Sequence, residues 1–219
     1  ETIVLIPSIS SSKVFQVQSK LTENGVVEGQ CRIVSRGQFG WDTRKTLHKK
    51  SDDDLVLNYE KRFNLNSINE VYARNVNKLS MPVKQGFKFS EQGQFVEKIG
   101  DKIYLSPMLF LNLKENPFKV EERLYPVEFT YPKNLQHYIS IQIPEGYKID
   151  YLPEKAILKL GDDLLTLTYL IEYSNHIINI RVRQNINTIM ILPQDYHLLK
   201  DFYSSLLNKE NEKIVLVKT

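Results

Sequence analysis

The chain has 219 residues, 42% hydrophobic and 25% charged, with a formal net charge of +3. That is enough apolar material for one large β domain or two of about 100 residues each, and it excludes the sparse, highly charged composition of a disordered segment. Lysines and arginines interleave with acids, as where Lys49-Lys50 precede Asp52-Asp53-Asp54, which argues against nucleic-acid binding.

Glu1 stands in place of a methionine, and Thr2-Ile-Val-Leu-Ile-Pro7 predicts a strand entered from upstream. Imperfect apolar–polar alternation predicts strands over 14–22 and 26–35. Asn24-Gly25 between them suits a type I′ hairpin turn, which needs positive φ at both central residues. A short helix is expected over 39–48. A second, over 52–63, is marked by Ser51 as N-cap, three aspartates at the positive end of the helix dipole, and Leu55, Tyr59 and Phe63 at a spacing of four.

Short strands follow at 71–76, 86–90, 95–99 and 102–105, separated by turn formers such as Gln92-Gly93 and Gly100-Asp101. The segment 121–132 carries Pro126 and Pro132, neither able to donate to a ladder, so it reads as an edge strand or an extended connection. Strands are then expected at 138–143, 147–152, 156–160, 164–173 and 177–184, a helix over 194–208, and a closing strand at 214–217. The fold class is mainly β, with antiparallel β-sandwich packing and these three helices. A boundary near 115 would divide the chain into 1–115 and 116–219, as two units or one continuous one.

No motif assigns catalysis. No apolar run approaches the roughly 18 residues of a membrane span. Cys31 is the one thiol, so an intrachain disulfide and metal sites needing two cysteines are excluded. Its neighbours Gly29-Gln-Cys-Arg-Ile-Val34 read as a strand interior, where cysteine is a small core residue. Pairing it with His48 as a hydrolase or acyltransferase is the weakest reading. His48, His137, His176 and His197 are scattered without ligand spacing. Asp52-Asp53-Asp54 lacks the alternation and the glycine of a calcium loop. No catalytic, cofactor or metal residue is assigned. Of the aromatics, Tyr125, Tyr131 and Tyr147 are the candidates for an exposed face that stacks on a glycan or peptide.

The order of Thr2–Pro7, Leu21-Thr-Glu-Asn-Gly25, Gly40 with Arg44, Glu121-Glu-Arg-Leu-Tyr-Pro-Val-Glu-Phe-Thr-Tyr-Pro132, Ile143-Pro-Glu-Gly-Tyr147, Leu152-Pro-Glu154, Tyr196-His-Leu-Leu-Lys-Asp-Phe-Tyr203 and Asn211-Glu-Lys-Ile-Val-Leu216 resembles one family. It is similar to the region that follows the transglutaminase-like core in large Bacteroidetes envelope proteins, including their C-terminal DUF3858-type domain. The resemblance spans nearly the whole chain and is most specific from residue 121 onward. It implies an exported parent, periplasmic or on the cell surface, whose Cys, His and Asp triad lies in a core this chain does not contain. The expected role is a non-catalytic accessory domain whose partner is that upstream core. A glycan- or peptide-binding surface module is the alternative.

Overall fold

The computed structural model describes residues 11–48 and 50–219; the strand expected over 2–7 lies outside them. The chain is mainly β. Its first sheet has eight strands, and its N-terminal members are β1 (Ser11–Leu21), β2 (Val26–Ser35), β3 (Ile68–Arg74) and β4 (Val83–Gln92). A second sheet receives β5 (Val96–Ile99), β6 (Lys102–Leu105), β9 (Tyr147–Tyr151) and β14 (Ile214–Lys218). The remaining members of the large sheet are β8 (Lys133–Gln142), β10 (Ala156–Leu160), β11 (Leu165–Ser174) and β12 (Ile177–Ile186), and two-residue strands β7 (Val127–Glu128) and β13 (Met190–Ile191) pair separately.

Strand order in the large sheet is β10-β11-β12-β8-β1-β2-β4-β3. All neighbours are antiparallel except β1 and β8, which run parallel from Ser11 opposite Lys133 to Lys20 opposite Gln142. This one parallel pair joins four strands from before residue 115 to four from after it.

Period-two alternation decides which face is covered. On β1, Phe15, Val17 and Leu21 are buried while Gln16, Gln18 and Lys20 are exposed. On β11, Leu165, Leu167, Tyr169 and Ile171 are buried. The helices α1 (Gln38–Leu47) and α2 (Asp52–Phe63) lie against β1 to β4, and α3 (Tyr196–Asn211) lies against β10. α2 inserts Leu55, Tyr59 and Phe63, so that Phe63, Phe87 and Phe110 meet with ring centroids 5.2 to 5.8 Å apart. Ile103, Leu105, Ile214 and Leu216 bring the small sheet into the same core, a sandwich-like arrangement.

Local chemistry explains the junctions. Ser51 Oγ accepts from the Asp54 amide, and Asp54 Oδ2 accepts from the Ser51 amide, a complete capping box that opens α2 at the expected residue. The hairpin after β1 differs from expectation. Only Gly25 has positive φ, and Gly25 donates to Thr22, so this is a three-residue loop closed by a left-handed glycine rather than a type I′ turn. Positive φ at two successive residues occurs instead at Asn175-His176, between β11 and β12. The long stretch from Ser106 to Pro126 is tied to α3: Asn116 Nδ2 donates to the Lys200 carbonyl (2.9 Å), and the Tyr196 hydroxyl donates to the Val120 carbonyl (3.1 Å). Pro126 and Pro132 bound β7 and the approach to β8, where a missing N–H costs no ladder bond.

Candidate functional site

The face of the large sheet turned away from α1 and α2 is polar. Strand registers place Arg181, Tyr138, Gln16, Arg32, Gly86 and Tyr72 in one row from β12 to β3. The next row holds Asn179, Ser140, Gln18, Gln30 and Lys88. With strands about 4.8 Å apart, three spacings put Arg181 and Arg32 about 14 Å from one another across the sheet.

These rows border a concavity of about 640 Å³ that Glu70 also lines, a size typical of ligand clefts. One wall depends on a glycine. The Tyr72 ring lies over Gly86, where an added Cβ would sit 2.3 Å from the ring. Any larger residue at 86 would displace that ring from the wall. Gln30 Nε2 donates to Gln18 Oε1 (2.8 Å), the Tyr138 hydroxyl donates to Gln136 (2.8 Å), and Lys88 pairs with Glu70 (2.7 Å). Asn185 donates to Thr166 (2.9 Å) and accepts from Asn134, extending the polar lattice along β8, β12 and β11. Arg32 and Arg181 form no ion pair among the described residues. Such a surface offers amide and guanidinium donors, amide acceptors and two phenol rings. It suits recognition of an extended polar ligand.

The tyrosines expected to form a binding face are not brought together. Tyr125 is 78% exposed in the connection before β7. Tyr131 packs edge-on against Phe39, donates its hydroxyl to Asp42 Oδ2 (3.2 Å) and carries the Lys133 ammonium 5.0 Å from its ring centre. Burial, and secondarily Asp42, push its phenol up to about 12. Tyr147 is 3% exposed at the start of β9, so its ring is core and not a stacking surface.

Cys31 lies on the covered face between Val17 and Phe87, 2% exposed, and burial pushes its thiol pKa up, away from thiolate reactivity. His48 is exposed at the C-terminal end of α1. His137 packs edge-on against Phe15 with its centroid 5.2 Å away, and burial lowers its pKa to about 4. His176 occupies a hairpin turn and His197 an exposed position of α3. Among the described residues no cluster of three His, Cys, Asp or Glu could hold a metal ion. No helix among them is long and apolar enough to cross a membrane.

Sequence reading missed Gln16, Arg32, Tyr72, Tyr138 and Arg181 as a set. Each sits at a polar position of an alternating strand, which was visible. Their juxtaposition comes from registers that no local pattern contains.

A family model described as "Domain of Unknown Function with solved-structure structure (DUF3858)" matches residues 101–216, a little over half the chain. The match takes in β6 to β14 as far as Leu216, and leaves β1 to β4, α1 and α2 outside it. Among solved structures, one described as a "putative protease" from Parabacteroides distasonis is similar at 13% identity with a TM-score of 0.39. That match spans 45% of this chain and 19% of the other. No curated protein matches.

Proposed function

Because this chain belongs to the DUF3858 family, we propose that it is a non-catalytic accessory region of a larger exported, transglutaminase-like protein, working in the periplasm or at the cell surface. In this reading the polar face of the eight-stranded sheet meets the catalytic core of the same polypeptide or holds substrate beside it. The observation that carries the reading is that face: eight strands wide, lined by Arg32, Arg181, Tyr72 and Tyr138, and left uncovered by the helices that close the opposite side. A polar, hydrogen-bonding surface of this kind suits a reversible interface better than an obligate apolar one. The order of sequence motifs described above supports the transglutaminase-like context, and the burial of Cys31 supports a role outside the chemistry.

The test is association. Residues 1–219 are titrated against the separately expressed core by calorimetry, with Arg32→Ala/Arg181→Ala as the paired variant. Micromolar or tighter binding that weakens at least tenfold in the variant is the expected result. A core that neither binds the chain nor changes in activity when the region is deleted would overturn the proposal.

A second reading, a glycan- or peptide-binding module, is favoured by the 640 Å³ concavity with its two tyrosines and row of amides. Glycan and peptide arrays probed with the same variant distinguish it. Signal lost in the double-alanine chain supports this reading, and background signal from the wild type removes it.

A further inference from the structure

A second, smaller cavity of about 70 Å³ lies on the opposite side of the sheet, between α1, α2 and the strands beneath them. Two residues interrupt the apolar stripe there. Lys13 takes the covered position of β1 two before Phe15, and Gln85 takes the covered position of β4 between Val83 and Phe87. They are 8% and 2% exposed. From α2, Asn58 and Arg62 line the same space one turn apart; from α1 come Asp42, Thr43 and Thr46.

The donors there outnumber the acceptors. Gln85 Oε1 accepts from the buried Tyr59 hydroxyl (2.9 Å), which orients the amide, and Gln85 Nε2 is buried with no partner among the described residues. Lys13 Nζ lies 5.0 Å from the Phe39 ring centre and forms no ion pair among the described residues. Among the described residues Asp42 is the one acid lining the space, and both its oxygens are engaged, by Tyr131 (3.2 Å) and by Gln38 Nε2 (3.2 Å). Lys13 and Arg62 against Asp42 leave one net positive charge.

We propose that this cavity binds one small carboxylate, held by the Lys13 ammonium, the Arg62 guanidinium and the Gln85 side-chain amide. A monoanion matches the net charge. A planar two-oxygen group matches a guanidinium fork and has lone pairs to spare for the other two donors. The volume admits a head group and not a sugar ring. Burial, and then Arg62, hold Lys13 down at about 8 while Asp42 works the other way, and a bound anion would favour its charged form.

Formate is the probe, titrated into the full ¹⁵N-labelled chain at constant ionic strength with chloride as the balancing salt. The Gln85 side-chain amide signals should move saturably with a single dissociation constant, and the melting temperature should rise with formate. Both responses should be lost in Lys13→Met and weakened at least tenfold in Arg62→Met. Arg62 is exposed on its helix, so that variant keeps the comparison available should Lys13→Met fail to fold. Unsaturable shifts, shifts unchanged in Arg62→Met, or an equal response to chloride alone would overturn the proposal.

Discussion

Gly86→Ala adds one methyl group, and the geometry allows its cost to be worked out in advance. An ideal Cβ at 86 lies 2.3 Å from Cε1, 2.6 Å from Cζ and 2.7 Å from the hydroxyl oxygen of Tyr72, so the ring must leave its seat or the strands must part. Overpacking of this kind costs about 1–3 kcal/mol, offset by the roughly 0.5–1 kcal/mol by which alanine is better than glycine within a strand. A net loss of about 1–2 kcal/mol is expected for Gly86→Ala alone. In a Tyr72→Ala background the clash is gone and only alanine's advantage remains, so the same substitution should stabilise by about 0.5–1 kcal/mol. The two sites should therefore couple by about 2 kcal/mol. Urea unfolding of the four proteins with a common m-value measures it. Additivity within about 0.5 kcal/mol would refute the packing of Tyr72 on Gly86, and with it one wall of the concavity.

Three further substitutions test α2 and α3. Glu210 is 5% exposed; the Leu113 amide donates to it at 2.8 Å, yet burial outweighs that bond and lifts the carboxyl from 4.5 to about 7. The folded chain holds this proton more tightly than the unfolded chain, so stability is full below about pH 4.5 and falls as pH rises through about 7. Glu210→Gln keeps an acceptor for Leu113 and should exceed the parent at pH 8 by roughly 3 kcal/mol while matching it near pH 4.5, by chemical denaturation at both values. Ser51→Ala removes the side-chain half of the capping box and should cost about 1 kcal/mol, and Asp54→Ala in the same background should lower stability again, because its carboxylate still accepts from the backbone amide of residue 51.

What the sequence made legible was local. Leu55, Tyr59 and Phe63 with Ser51 ahead of them fixed α2 to the residue, because helix period and capping are settled within one stretch of chain. Alternation located most strands, and the cysteine's place in a strand interior foretold its burial. Side and partner were not legible in the same way. Tyr147 follows a turn and opens an alternating segment, as an exposed tyrosine could, and only the packing of β9 beside β14 turns it inward. Gln16 and Tyr138 share a row because β1 and β8 run side by side, though 122 residues separate them. The Asn24-Gly25 pair marked its turn correctly but not the turn's type, since φ at Asn24 answers to the strands it joins.

The parallel ladder between β1 and β8 also sets a schedule. β1 leaves the ribosome well before β8 and can close its hairpin with β2 within microseconds. Its other edge stays bare until residues 133–142 have been made. Through that interval ten residues of backbone donors and acceptors are open to any passing strand, the kind of template on which chains misassemble. Whatever protects the nascent polypeptide must therefore act from the synthesis of β1 until that of β8, and a fragment ending before Lys133 lacks the strand that covers this edge.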